Sequence, residues 1–453
     1  MRKIISLLAI MTLTVVILFG CNPPQKVETD DYEANVIIDR NVSGELRILI
    51  PASTYEQNMI DSAISGFKML FPNVTVRTST FQYNNYNATL MQLQSSNSLP
   101  DIIWTNTPDF AFLVGKGMIL NLDKYINLSI DEGLFDINDF YEDYFDMGKI
   151  KGKQYVIPRS MDTIVTFINT EILTEAGVDL SPETTVVKNG WTWDDFLSVC
   201  DKVREHFDSQ EKLDSYVIDQ NVITWDSLIY PWLLSCNANL FDDNNNVIVN
   251  SEETAEALNM LKYLVDNRYV APSKVTAGSS YESGGSAMLF QSAAISHYAD
   301  RSVLQGKCDI VSFPLMDKYD NAKIGAGIAG YTINARSNVQ TRDIAWQFLL
   351  YMLSQEGQNA LAEGGLNLPS IRKDLADYEV AAWGSGYSDY NLSAYLYAPE
   401  RKVAVDFVHK FDPELKTDLI QALIDMFEEV SNGLEIQEAI TNCENALLEI
   451  IDK

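Results

Sequence analysis

Apolar and polar positions recur along this chain with two periods, and the switches between them mark out the elements. From Glu45, the run Leu46-Arg47-Ile48-Leu49-Ile50 predicts a strand that Pro51 stops. Met59, Ile60, Ala63, Phe67 and Leu70 then fall on one helical face and predict an amphipathic helix from Gln57 to Leu70. Phe71-Pro72-Asn73 breaks it, and Val74-Thr75-Val76 predicts a second strand. Strand, helix and strand in that order form the unit of a parallel α/β sheet. A second unit follows: a helix from Tyr86 to Gln94, a break at Pro100, and a short buried strand Ile102-Ile103-Trp104. Phe110 to Lys116 predicts a helix closed by Gly117. Further helices are expected from Trp193 to Phe207, Ser251 to Asp266, Thr341 to Leu353, Asp418 to Val430 and Ile436 to Ile451. Thr192 and Asp195 form a near capping box for the first of these. Thr341–Leu353 reads as strongly amphipathic, with Ile344, Ala345, Phe348, Leu349 and Met352 in phase.

The N-terminus has a different pattern. Arg2 and Lys3 precede an apolar run from Ile4 to Phe19 that is short for a membrane span. Its end, Leu18-Phe19-Gly20-Cys21, resembles a bacterial lipoprotein cleavage site. The resemblance implies a signal peptide over 1–20, cleavage before Cys21, and a diacylglycerol on the Cys21 thiol. An uncleaved anchor helix is the competing reading, and both put the body outside the cell. Asn22 to Ser43 is polar and acidic, and 21–43 reads as a flexible tether.

With 453 residues, 46% of them hydrophobic, the chain is globular and too long for a single core, so two large lobes are expected. The net charge of −30 argues against nucleic acid as a partner. It also disfavours an anionic ligand, unless a local basic pocket overrides the global field. Cys200, Cys236, Cys308 and Cys443 match no CxxC motif. A disulfide is open to them outside the cell, with buried thiols the preferred reading for Cys200 and Cys443. His206, His297 and His409 lack metal-ligand spacing, so neither metal nor cofactor is expected. Asp242, Asn244, Asn246 and Glu253 occupy calcium-loop positions, but Val247 stands where glycine is required, and Val247-Ile248-Val249 reads as a strand after a polar turn. Gly325-Ala326-Gly327-Ile328-Ala329-Gly330 matches a dinucleotide fingerprint in letters only, because a strand, Tyr331-Thr332-Ile333, follows where a helix is needed.

A series of blocks then carries a family resemblance. Phe67-Lys68-Met69-Leu70-Phe71-Pro72-Asn73-Val74, Leu99-Pro100-Asp101-Ile102-Ile103 and Gly117-Met118-Ile119-Leu120-Asn121-Leu122 come first. Lys151-Gly152-Lys153-Gln154-Tyr155-Val156-Ile157-Pro158, Phe167-Ile168-Asn169, Trp193-Asp194-Asp195-Phe196, Gly285-Ser286-Ala287-Met288 and Ala345-Trp346-Gln347-Phe348-Leu349 follow. In this order, over nearly all of 44–453, the chain resembles the extracellular solute-binding proteins of ABC importers, the class that includes maltose-binding protein. The resemblance implies an α/β, two-lobed periplasmic-binding-protein-like (type II) fold, with two Rossmann-like lobes joined by a hinge that the chain crosses several times. Lobe 1 is expected over 44–156 and 328–370, and lobe 2 over 157–327 and 371–453. The crossings are expected near Tyr155–Pro158, Gly327–Tyr331 and Leu368–Ser370. It further implies a monomer, lipid-tethered on the outer face of the membrane, that closes on a small solute and hands it to permease subunits.

Sugar rings pair apolar faces with a rim of hydroxyls, so a sugar cleft calls for aromatic plates beside carboxylates and amides. Loops at the C-terminal ends of parallel strands place such groups. Tyr55, Gln82, Tyr83, Trp104, Asn106 and Asp109 fit on the first lobe, and Arg159 and Asp162 just past the first crossing. Trp225, Asp226 and Tyr298 fit on the second, with Tyr331 and Trp383 near later crossings. Tyr298 stands in for a tryptophan that the family often carries after its Ala-Met block. Trp104 and Trp383 are read as loop residues whose loss costs affinity but not stability. The expected cargo is therefore a carbohydrate, an oligosaccharide or a derivative, bound and not transformed. A secreted carbohydrate-active enzyme and a sensor lipoprotein serving a receptor kinase are the alternatives.

Overall fold

Ser53 starts the first helix by accepting a hydrogen bond from the Glu56 amide (3.0 Å), which satisfies one of the free donors of the first turn. In the computed structural model, which describes residues 30, 32–219, 221–278, 280–316 and 320–452, this cap joins β1 (Gly44–Pro51) to α1 (Thr54–Leu70). The signal peptide and Cys21 lie outside the described residues. β2 (Val74–Phe81) returns parallel to β1 in unbroken register, Gly44 opposite Val74 and Pro51 opposite Phe81. α2 (Tyr86–Ser95) leads to β3 (Ile102–Asn106), also parallel to β1, and α3 (Phe110–Gly115) follows. Gly117 after it adopts φ +58°, which glycine reaches without a Cβ penalty.

β4 (Ile157–Pro158), β5 (Asp162–Thr163) and β6 (Val165–Asn169) come next, then α4 (Trp193–Ser209), α5 (Asp226–Ser235) and α6 (Glu252–Asp266). β7 (Met288–Gln291), β8 (Cys308–Ser312), β9 (Ile324–Gly327) and β10 (Ala329–Ile333) precede α7 (Val339–Leu353) and α8 (Gln355–Glu363). β11 (Lys402–Val403), α9 (Lys416–Ser431) and α10 (Ile436–Ile451) end the chain. The first sheet has the order β2–β1–β3–β10–β4, with β10 antiparallel to both neighbours. A second sheet runs β8–β6–β7 and a third β11–β9–β5.

Two hydrophobic cores result. One gathers β1–β3, β10, α1, α7 and α8, and the other gathers α4, α5, α6, α9 and α10 around the second sheet. The three expected crossings lie side by side. Arg159 N donates to the Ala329 carbonyl and Met161 N to the Pro369 carbonyl, both at 3.0 Å. A Cβ on Gly330 would fall 2.2 Å from the Ile157 carbonyl oxygen, so the strands meet at this distance only because glycine is there.

Several expectations need correction. Ala382–Gly384 packs on α8, whereas the segment after it turns to the second sheet, with Asn391 N donating to Asp309 Oδ1 at 2.9 Å. Tyr32 and Val36, placed by the sequence in a flexible tether, are buried against the first core. Tyr32 Oη donates to the Asn121 carbonyl at 2.6 Å. Two apolar side chains four apart suffice to pin an otherwise polar segment. α7 is not one-faced: ten of its residues are buried, because β1, β10, α1 and α8 enclose it. Val247–Val249 forms no strand. Only Val247 bridges back to Phe241, across a turn in which Asp242 Oδ1 accepts from the Asn244 and Asn246 amides at 2.8 Å. The Thr192–Asp195 capping box is formed in both directions. Cys200, Cys236, Cys308 and Cys443 are buried, and none is joined to another in a disulfide. No helix among the described residues is long and apolar enough to cross a membrane.

Candidate functional site

The parallel strands β1, β2 and β3 end at one rim of the first sheet, and their loops carry Tyr55, Gln82, Tyr83, Asn106 and Asp109 there. β4 ends at the same rim, so Arg159 and Asp162 arrive beside them. Tyr83 is 56% exposed and meets Trp104 edge-on, with ring centroids 5.4 Å apart and planes at 87°. The charges of Glu56, Arg159, Asp162 and Asp109 all bear on its hydroxyl. Gln82 is exposed, while Tyr55 is partly buried. Asn106 Oδ1 accepts from the Asp109 amide at 3.1 Å and so fixes that loop.

Behind this rim lies a buried ion pair that sequence reading missed. Both terminal nitrogens of Arg159 donate to the Glu56 carboxylate, Nη2 to Oε1 at 2.8 Å, and each side chain is only 5% exposed. Arg159, expected at the ligand, is therefore committed to Glu56. Tyr331 is fully buried, with the Arg159 charge acting on its hydroxyl. Asp162 lies near the same rim, partly buried, with Oδ1 accepting from Ser160 Oγ at 2.9 Å. Burial pushes its carboxyl up to about 6, and Arg159, already neutralised by Glu56, pulls it down too weakly to compensate.

A group bound more tightly by a proton in the folded than in the unfolded chain favours folding at low pH. For Asp162 the folded value of about 6 lies above the ordinary 3.8, so its contribution is lost as pH rises between these values. Asp162→Asn is expected to raise the melting temperature at pH 7 and to flatten its pH dependence between 4 and 6, with a ceiling of about 3 kcal/mol. An unchanged profile would show that the carboxyl is already solvated.

The opposite wall belongs largely to the second lobe. Lys416 Nζ, at the start of α9, donates to Asp109 Oδ1 at 2.5 Å. Asp226, first residue of α5, feels both charges, and burial pushes its carboxyl up. His409 Nε2 lies 3.3 Å from the Thr107 carbonyl oxygen, and Lys116 pairs with Glu414. Between the walls opens a cavity of about 890 Å³, lined by Thr107 and residues 143–151 on one side and by Tyr230 and residues 400–410 on the other.

The aromatic expectations divide. Trp104 is a strand residue, not a loop residue, because β3 continues to Asn106; its side chain is 2% exposed, with an indole nitrogen that has no partner. Trp383 lies in a 3₁₀ turn, Ala382–Gly384, buried against Tyr378 with Nε1 donating to the Leu375 carbonyl at 2.9 Å, inside the first core. Tyr298 is buried edge-on against Phe167, centroids 4.6 Å apart. Trp225 caps α5 and packs on the second core. Thus Tyr55, Gln82, Tyr83, Asn106, Asp109, Asp162 and Asp226 gather near the rim, Arg159, Tyr331 and Trp104 pack behind it, and Tyr298 and Trp383 are buried against other neighbours. Glu56, Tyr395 and Lys416 were missed. Tyr395 is buried, with Oη donating to the Ala293 carbonyl at 2.7 Å. Only Glu56 left a local signal, as the fourth residue of a Ser-x-x-Glu cap. Among the described residues, no His, Cys, Asp and Glu side chains gather as a metal site.

Two lobes, a multiply crossed hinge and polar loops at the strand ends define a class of binding protein. The profile of the bacterial extracellular solute-binding protein family matches residues 62–386, and the chain belongs to that family. Among curated proteins, the arabinooligosaccharide-binding protein of Halalkalibacterium halodurans is 25% identical over 213 residues, 46% of this chain and 43% of that one. The chain thus spans less than half of that relative in this match. The arabinooligosaccharide-binding protein of Bacillus subtilis is 22% identical over 405 residues, covering 86% of this chain and 85% of its own. Among solved structures, an ABC substrate-binding protein of Listeria monocytogenes in complex with cycloalternan superposes with a TM-score of 0.71 at 20% identity, over 90% of this chain and 99% of that chain. This likeness fixes the type II two-lobed fold.

Proposed function

We propose that the protein is a lipid-anchored solute receptor outside the cell, held by acyl chains on Cys21, that captures an oligosaccharide between its lobes and delivers it unaltered to an ABC permease. The observation that carries this reading is the rim of loops at the ends of β1–β4, where an exposed Tyr83 ring and Gln82 stand near Asp162 and Asp109, next to an interlobe cavity of about 890 Å³ that Thr107 begins to line. A plate beside carboxylate and amide acceptors suits a sugar's apolar face and hydroxyl rim. The naming of both curated relatives as arabinooligosaccharide binders supports the same cargo class. Ligand contacts fall to Tyr55, Gln82, Tyr83, Asn106, Asp109, Asp162 and Asp226, with Lys416 added. Trp104, Arg159 and Tyr331 hold these groups in place from behind. Ligand bridging both walls shifts the population toward the closed form, which the permease engages as a monomer.

The test is a thermal-shift panel of oligosaccharides, arabino-oligosaccharides included, with the sugars analysed afterwards. At a hundred times Kd the stabilisation is about 2.7 kcal/mol. A raised melting temperature with the sugar recovered intact is the expected result. Shortened sugar, or no shift with any sugar, overturns the proposal.

A further inference from the structure

The interlobe cavity has one unusual residue in its wall. Lys402, in β11, is only 8% exposed. It pairs with Ile324 of β9 through the backbone, and its amine makes no hydrogen bond or ion pair with any described residue. The other buried cations among the described residues are all accommodated. Arg159 holds Glu56, Arg204 holds Asp208 and two carbonyls, and Arg342 lies over the Tyr32 ring at 5.3 Å. A buried charge without a partner is costly, so folded proteins rarely keep one without a use.

The surroundings narrow that use. Burial pushes the Lys402 ammonium down to about 7, and Glu400 is the one charge that opposes this. Asp143, Asp146, Asp243, Glu400 and Asp406 also line the cavity, with Lys149, Lys151 and Lys410 at more exposed positions, in a chain of net charge −30. Lys149 pairs with Asp146 and Lys151 is exposed, so Lys402 is the buried ammonium of this wall; a single carboxylate placed against it is matched, whereas a phosphate dianion would bring a second charge among the carboxylates. A neutral sugar leaves the ammonium as it was.

We propose that Lys402 is a specificity-determining residue that pairs with the carboxylate of a uronic-acid unit in the bound oligosaccharide. This rests on the sugar-binding reading above and names the chemistry of the cargo. The pair forms only when ligand is present, so the cost of burying Lys402 in the empty cavity is recovered on binding, and a neutral analogue forgoes that gain.

The test is calorimetric titration of the full chain with uronic-acid-containing oligosaccharides, each beside its carboxyl-reduced counterpart of the same shape. The acid is expected to bind at least tenfold more tightly than its reduced partner. Lys402→Gln should abolish this gap while still binding the reduced sugar, and Lys402→Arg should retain it. The melting temperature of ligand-free Lys402→Gln is expected to equal or exceed that of the parent, which separates loss of recognition from loss of folding. Equal affinities within every pair, a gap that persists in Lys402→Gln, or binding of neutral sugars only would overturn the inference and leave the sugar reading intact. Binding of no sugar at all would overturn both.

Discussion

Glu56→Ala is expected to destabilise the protein by about 3–5 kcal/mol, because it strands a buried guanidinium. Arg159 and Glu56 are each 5% exposed and bonded through both terminal nitrogens, so no water can replace the lost carboxylate cheaply. The backbone of Arg159 is itself bonded to Ala329 and Gln358, which fixes the cation between two crossings and denies it a route to solvent. Urea unfolding gives the measurement: the midpoint falls while the slope stays near the parent's. Glu56→Leu combined with Arg159→Met is expected to recover most of the loss, since two apolar groups of similar volume leave no orphaned charge. A single variant costing under about 1 kcal/mol would mean that the pair is hydrated.

Tyr83→Ala is expected to lower sugar affinity tenfold to a hundredfold, about 1.4–2.8 kcal/mol, with little effect on melting. Its ring is more than half exposed and gains little from folding, yet it is the most accessible plate at the rim. Edge-on support from Trp104 holds that plate in orientation. Trp104→Ala should behave in the opposite way. Deleting a buried indole costs about 3–5 kcal/mol in stability, and affinity suffers only through the loss of Tyr83's support. Calorimetric titration of both variants with the sugar identified by thermal shift distinguishes the two roles. Unchanged affinity in Tyr83→Ala would remove this rim from the ligand.

Residues near one another in the chain made most of the fold legible. The Leu46–Ile50 strand, the helix that ends at Phe71-Pro72, and the Thr192 cap each depend on a period or a spacing within a few residues, and the structure has all of them. The site was less legible because its decisive partners are remote. Arg159 and Glu56 stand 103 positions apart, and Lys416 and Asp109 stand 307 apart. No local pattern indicates that a candidate cation is already taken. Trp104 was misjudged because the apolar run that marks a strand stops at it, whereas the ladder continues through Thr105 and Asn106 opposite Gly330 and Ala329. Trp383 was misjudged because its glycine-rich surroundings read as an open loop, while backbone bonds fold that segment into a turn against α8.

The burial of Tyr32 alters how the receptor would stand on a cell. With a lipid on Cys21, the intervening chain reaches at most about 40 Å, even fully stretched. If the proposed anchor holds, the lobe clasping Tyr32 would stay within that reach of the bilayer, and the other lobe would do the travelling. Opening and shutting would proceed as a jaw on a moored base, with each catch of cargo made within a short radius of the transporter mouth.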